Sequence, residues 1–131
     1  MTRFSNGIEK ARSEYYRKLA DHFLAEVNVK PVYRILEAGC GKGQLTITLL
    51  ERLPTTTSLV ALDSSRGDYE GSLDALRSRL GTRPKRKGSI VQSDVLNIQG
   101  IGDRSVDVVI SNELLCDLKS EREVLCEIQF A

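Results

Sequence analysis

The sequence predicts a doubly wound α/β fold with a parallel sheet, and three observations support this prediction. Short apolar runs alternate with longer amphipathic segments, which is the pattern of strands joined by crossover helices. Such crossovers are right-handed, so a doubly wound sheet is the simplest topology. The third observation is a glycine-rich turn, within RILEAGCGKGQLTITLL at 34–50, that joins an apolar run to a helix-like run.

The N-terminal segment predicts a helix over residues 6–28, because its apolar residues recur at spacings of three and four and form one stripe. Asn6 can cap this helix, with Glu9 at the reciprocal position of a capping box. Pro31 interrupts the helical pattern. We therefore expect a single domain over the whole chain, in which this helix precedes a core over 32–131.

Four strands and three further helices are predicted within the core. Each strand is a short apolar run bounded by turn residues, and each helix is amphipathic with recognisable start or stop signals. The predicted strands are YRILEAG (33–39), SLVALD (58–63), SIVQSD (89–94) and VDVVIS (106–111). The predicted helices are QLTITLLERL (44–53), DYEGSLDALRSRLG (68–81) and SEREVLCEIQF (120–130).

Charge and hydropathy exclude several classes of protein. With 19 Lys and Arg against 18 Asp and Glu, the formal net charge is +1, which argues against a general nucleic-acid binder. No apolar run approaches the ~20 residues that cross a bilayer. The N-terminus also lacks the apolar core of a signal peptide. We therefore expect a cytoplasmic protein with no membrane partner.

Cysteine and histidine usage argues against a metal site. Cys40, Cys116 and Cys126 are widely spaced and odd in number, so they form neither a disulfide framework nor a CxxC metal pair. A reduced compartment is the expected setting. Because His22 is the single histidine, a multi-histidine metal site is excluded.

Polar residues follow the predicted strands, where ligands of such sheets bind beyond the carboxyl ends. Because parallel strands end at the same edge of a sheet, residues from all four ends should converge on one crevice. These residues are Glu37 to Gly43, Asp63, Asp94, and Ser111 to Glu113.

The glycine spacing distinguishes among possible ligands. A phosphate-binding loop needs GxxxxGK[ST], and the lysine in this turn has no Ser or Thr after it. A dinucleotide-binding GxGxxG turn would place its third glycine where Gln44 stands, whereas here glycines occupy 39, 41 and 43. The carboxylate of Glu37 would repel a pyrophosphate but suit an ammonium group. The pattern favours a ligand with an amino acid at one end and adenosine at the other.

Four segments in the same order resemble the motifs of class I S-adenosylmethionine-dependent methyltransferases, which have a Rossmann-like fold. LEAGCGKG resembles the first motif, LVALDSS the second, IVQSDVLNI the third and VDVVISNELLCDL the fourth. The resemblance covers roughly residues 10–130. It implies S-adenosylmethionine as cofactor and methyl transfer as the activity. Since the [ND]PP[YF] motif of amino-group methylators is missing, it also implies a small-molecule acceptor, with no nucleic-acid partner expected.

The resemblance assigns roles to individual residues. Glu37 would orient the methionine ammonium through water, while Gly39 and Gly41 would let the backbone pass beneath the methionine part. Asp63 would accept both ribose hydroxyls. No catalytic residue is assigned, because the task is mainly alignment of an in-line displacement and desolvation. The remaining expected cofactor contacts are Cys40, Gly43, Ser64, Asp94 at the adenine amine, the Val95 amide at a ring nitrogen, and Asn112 near the methyl.

The resemblance also implies a fold that stops short after the fourth strand and the following helix. The family sheet usually has seven strands in the order 3-2-1-4-5-7-6, and this sequence ends at Ala131 before the fifth. We expect either a fragment or one half of an assembly. In both cases strand 106–110 would be an open edge that invites self-association or a partner chain.

Two other functions remain open at this point. One is a non-catalytic S-adenosylmethionine-binding module, or a half-enzyme that needs a partner chain. The other is a nicotinamide-dependent oxidoreductase, which Glu37 and Gln44 disfavour.

Overall fold

The structure is a computed structural model that describes residues 3–66, 70–81 and 88–112 of the 131-residue chain. Each described element overlaps a predicted one, whereas the predicted helix 120–130 lies outside the described residues. The helices are α1 (Arg3–Val27), α2 (Gln44–Arg52) and α3 (Ser72–Gly81). The strands are β1 (Arg34–Ala38), β2 (Ser58–Asp63), β3 (Gly88–Gln92) and β4 (Val108–Ser111).

The four strands form one parallel sheet in the order β3-β2-β1-β4. The predicted Rossmann-like α/β fold is therefore confirmed. Ala38 lies opposite Leu62 of β2 and Ser111 of β4, so the carboxyl ends of the central strands lie side by side. Among the described residues, β4 has a strand partner on its β1 side alone.

Strand β4 begins later than the predicted residue 106, and a side chain explains why. The amide of Asp107 donates to the Arg34 carbonyl at 2.8 Å, as a ladder bond would. The Arg34 amide, however, donates to the Asp107 carboxylate, also at 2.8 Å. This side-chain acceptor takes the place of a backbone carbonyl, so the regular ladder starts at Val108, two residues after the predicted start.

The three helices pack on one face of the sheet. Ala20 of α1 and Leu49 of α2 are fully buried with Ile35 of β1. Leu73 and Leu76 of α3 extend the same layer. On the opposite face, a second cluster is formed by alternate strand residues and by the segment that joins β3 to β4, namely Leu36, Ala38, Leu62, Val95, Ile98, Ile101 and Val106.

The predicted apolar stripe of α1 is partly buried in the second half of the helix. Leu19 and Phe23 pack against the cluster around α2, while Ile8 and Tyr15 are exposed among the described residues. The periodicity of the stripe predicted the helix correctly but did not indicate which part of it meets the sheet layer. No helix in the described ranges has the length and apolarity needed to cross a membrane.

Candidate functional site

A glycine turn links β1 to α2 at the edge where the strands end. Gly39, Gly41 and Gly43 have φ angles of 76°, 55° and 84°, in the left-handed region that residues with a Cβ seldom adopt. The amides of Gly39 and Cys40 both donate to the Leu62 carbonyl, at 2.8 and 3.0 Å. The turn is thereby folded over the end of β2.

Asp63, the last residue of β2, holds this turn in place. Its Oδ2 accepts the Gly41 amide at 2.9 Å, and its Oδ1 accepts the Ser65 amide at 2.8 Å. Its own carbonyl accepts the Ser93 amide from the β3 end at 3.0 Å. Each carboxylate oxygen keeps further acceptor capacity, since it has two lone-pair sites. One residue therefore connects three strand ends and can still accept hydrogen bonds from a ligand.

Glu37 on β1 is a buried carboxylate, 3% exposed, behind the glycine turn. The Thr46 hydroxyl on α2 donates to its Oε2 at 2.5 Å. Burial raises the pKa of Glu37 to about 7, the Thr46 hydrogen bond lowers it, and the charge of Asp63 raises it further. Glu37 consequently changes its charge near neutral pH.

Cys40 lies inside the turn and is buried. Burial raises the pKa of its thiol far above the usual range, and the carboxylates of Glu37 and Asp63 add to the effect. A thiol held neutral in this way is a poor nucleophile. Burial and the two neighbouring carboxylates therefore disfavour the thiolate that nucleophilic chemistry at Cys40 would need.

The loops after β2 and β3 are tied together beside Asp63. The side-chain amide of Gln92 donates to the Ser64 carbonyl at 3.1 Å. Asp94 is exposed, and its Oδ1 accepts the Leu96 amide at 2.9 Å. Val95 turns inward and is buried in the second apolar cluster. This corner therefore combines an exposed carboxylate and a tight turn with a side chain anchored in a buried apolar cluster.

Asn112 follows β4 directly and is half-buried. Its neighbour Ser111 pairs with Ala38, which places the end of β4 next to the glycine turn. The remaining predicted residue of this segment, Glu113, lies outside the described residues. No cluster of metal-binding side chains occurs within the ranges that the structure describes. All ten residues predicted to bind the cofactor thus lie at or next to the carboxyl edge of the sheet.

Thr46 is a polar contact that the sequence analysis missed. It occupies a position on the buried stripe of α2, three and four residues before Leu49 and Leu50. A hydroxyl at an apolar position of a helix is a signal that some partner is buried with it. The identity of that partner depends on how α2 packs against β1, which the sequence spacing does not state.

A family model for a methyltransferase domain matches residues 35–129. The chain belongs to the class I S-adenosylmethionine-dependent methyltransferase family. The match begins at β1 and includes the glycine turn and the ends of all four strands. A search of curated proteins gives no match.

Solved structures of methyltransferases share this fold. A putative S-adenosyl-L-methionine-dependent methyltransferase from Methanococcus maripaludis has a TM-score of 0.78 and 21% identity over 96% of this chain and 55% of its own. Magnesium protoporphyrin IX methyltransferase from Synechocystis PCC 6803, with bound SAM, has a TM-score of 0.67 and 15% identity over 98% of this chain and 58% of its own.

The same fold is found in a protein of different activity. The [4+2]-cyclase SpnF has a TM-score of 0.74 and 14% identity, over 86% of this chain and 39% of its own. At such identities the likeness concerns the fold alone. This chain spans between 39% and 58% of the length of the three solved structures.

Replacing Gly43 by alanine should destabilise the fold more than replacing Gly41. A Cβ at residue 43 would lie 2.1 Å from Leu76 Cδ1, and the left-handed φ adds strain, so we expect a loss of about 2–4 kcal/mol. Around a Cβ at residue 41 nothing lies within 4 Å, which leaves backbone strain of about 1–2 kcal/mol. Urea unfolding of both variants measures the difference. Equal losses would contradict the packing of α3 against the turn.

The stability of the chain should depend on pH through Glu37. Its folded-state pKa is raised from 4.5 to about 7. The stability that Glu37 contributes to the folded state is therefore fully present below pH 4.5 and is lost as pH rises through 7. Glu37→Gln removes this dependence. The free energy of unfolding of the variant minus that of wild type should therefore be about 2–3 kcal/mol larger at pH 8 than at pH 5.

Denaturant unfolding at both pH values tests this expectation. Glu14→Gln makes the same change at an exposed position of α1 and serves as the matched control. A Glu37→Gln variant that follows the pH dependence of wild type would show that Glu37 is not buried as described.

Proposed function

We propose that this chain forms the cofactor-binding part of a methyltransferase that transfers a methyl group from S-adenosylmethionine to a small molecule. The observation that carries the proposal is the arrangement around Asp63. Its carboxylate meets the backbone of the glycine turn, while the buried carboxylate of Glu37 lies behind the same turn. A carboxylate bonded to an open glycine, with a second carboxylate on the adjacent strand, fits a ligand with both a ribose and an ammonium group.

The residues present fit this cofactor at the glycine turn. The space in front of Gly41 is open, because an added Cβ there would meet no protein atom within 4 Å. A ligand can therefore lie directly against the backbone at this residue. Asp63 flanks the space with acceptor oxygens for hydroxyl groups, and Glu37 would act on the ammonium through water, since Thr46 already donates to its Oε2.

The chain would contribute orientation and desolvation. The cofactor supplies a methyl group that its sulfonium already makes electrophilic, so no dedicated protein base is required for every acceptor. Asp63 and Glu37 would fix the two ends of the ligand, and Asp94 with the Val95 amide would hold the adenine. Asn112, at the end of β4, is proposed to lie near the methyl group. Such positioning lowers the barrier by aligning the reactants for in-line displacement.

A small-molecule acceptor is the part of the proposal that rests on similarity. One of the similar structures is named for its action on magnesium protoporphyrin IX, a small molecule. The chain spans about half the length of these structures, so the acceptor site and the complete activity are proposed for the whole protein. As part of the same proposal, the outer edge of β4 would pair with another copy or a partner chain, since that edge has no strand partner among the described residues.

The alternative is a role in binding without methyl transfer. The similarity to a [4+2]-cyclase supports this alternative, because that protein has the same fold and is named for a reaction other than methyl transfer. Both functions would use the same adenosyl-binding site, but only the first includes transfer of a methyl group. Transfer of a labelled methyl group to a small-molecule acceptor would establish the first function.

S-adenosylmethionine and S-adenosylhomocysteine should both stabilise the protein against heat. A ligand at ~100-fold its dissociation constant that binds the native state alone adds about 2.7 kcal/mol. For a chain of this size the melting temperature should rise on the order of 10 °C. Differential scanning fluorimetry with NAD at equal concentration is the control. A larger shift with NAD would contradict the proposed cofactor.

Asp63→Ala should weaken S-adenosylhomocysteine binding by about 1–3 kcal/mol, because the ribose loses a charged acceptor and the turn loses its hydrogen bond from Gly41. Asp63→Asn should cost less, since one acceptor oxygen remains. Isothermal titration calorimetry measures both, with Asp103→Ala as a control at an exposed loop position. Wild-type affinity in a folded Asp63→Ala variant would contradict this placement of the ribose.

A further inference from the structure

Thr46 is a polar residue in an otherwise apolar layer. It is 1% exposed and lies on the same stripe of α2 as Leu49 and Leu50. Its hydroxyl points at Glu37, with 2.5 Å between Oγ1 and Oε2. An apolar side chain of the same shape would fill this position equally well as far as packing is concerned. The hydroxyl therefore serves the carboxylate that it contacts.

The surroundings of Glu37 oppose its negative charge. Burial is the largest effect, and Asp63 at the end of β2 adds a second negative charge. The turn presents the neutral Cys40 thiol, and β4 presents Ile110 opposite Glu37. Among the described residues, Thr46 supplies the side-chain hydrogen bond that favours the charged form. Removing it would leave Glu37 protonated over a wider range of pH.

We propose that Thr46 is a positioning residue that fixes the rotamer and the charge of Glu37, so that binding of the cofactor's ammonium group is coupled to loss of a proton from Glu37. This inference rests on the proposed function. An ammonium group is attracted by the ionised carboxylate and gains nothing from the neutral acid. At a pH where Glu37 holds its proton, binding must release that proton to the solvent, which leaves an ionised carboxylate that attracts the ammonium group through water.

A pH-dependent affinity follows, and its direction is fixed by the chemistry. Glu37 titrates at about 7, so the ionised fraction of the free protein falls about tenfold between pH 8 and pH 6. The affinity for S-adenosylhomocysteine, which carries the same amino-acid end, should fall by about the same factor. The affinity for 5′-methylthioadenosine, which has the ribose and adenine but no ammonium group, should change little.

Thr46→Val should shift this titration upward. It keeps the shape of the side chain and removes the hydroxyl, so the pH midpoint of S-adenosylhomocysteine affinity should rise by about one to two pH units. Thr46→Ser keeps a hydroxyl and should restore the wild-type midpoint. Thr48→Val makes the same chemical change two residues along α2, where the hydroxyl donates to the Gln44 carbonyl, and should leave the midpoint unchanged.

Isothermal titration calorimetry of the full chain between pH 5.5 and 8.5 is the test, in two buffers of different ionisation enthalpy so that proton release is measured directly. Wild type should release close to one proton per ligand at pH 6 and almost none at pH 8.5. Glu37→Gln should release none at either pH, and this comparison decides the coupling even if Thr46→Val does not fold.

Each outcome bears on a different statement. If S-adenosylhomocysteine binds with an affinity that is independent of pH, or if 5′-methylthioadenosine shows the same pH dependence, the coupling to Glu37 is wrong while the proposed function stands. If Thr46→Val binds with the wild-type midpoint, the positioning role of Thr46 is wrong. If neither adenosyl ligand binds at any pH, the proposed function fails and this inference fails with it.

Discussion

The hydrogen bond between the Gly41 amide and the Asp63 carboxylate determines where the parts of the site lie. It joins the turn after β1 to the end of β2, and the Asp63 carbonyl joins both to the end of β3. These bonds are possible because the strands are parallel and in register, so that their carboxyl ends lie at one edge. A single acidic residue therefore organises backbone from three segments that are far apart in the sequence.

The two carboxylates of the site, Asp63 and Glu37, have different surroundings. The Asp63 oxygens accept hydrogen bonds from the backbone amides of Gly41 and Ser65. Glu37 lies one strand away in a buried layer, where ionisation is opposed by desolvation and by Asp63 itself. The two buried carboxylates thus have different hydrogen-bond partners: backbone amides at Asp63 and a threonine hydroxyl at Glu37. A positively charged group beside Glu37 would offset the effects of burial and of Asp63 on its pKa.

The sequence predicted the parallel sheet and the residues at its carboxyl edge, because strand ends and glycine turns leave local signals. Asp63 and Glu37 were selected as candidates from their positions at strand ends, from the charge of Glu37 and from the family resemblance. The details that were missed are contacts between different elements of the fold. Thr46 required knowledge of how α2 packs on β1, and the late start of β4 required the contact between Asp107 and Arg34. Periodicity describes one element at a time, so it contains no information about which neighbour a polar side chain will meet.

The two glycines on either side of Lys42 are constrained by different neighbours. Gly43 faces a leucine of the same chain, whereas Gly41 faces open space. During sequence divergence, a smaller residue at position 76 can therefore remove the steric part of the cost of a larger residue at position 43, while the strain of the left-handed φ remains. Position 41 has no such compensating position within the described residues, because nothing lies within 4 Å of an added Cβ and its cost is the left-handed φ alone. The first constraint therefore involves two positions of the chain, whereas the second concerns the backbone of a single residue.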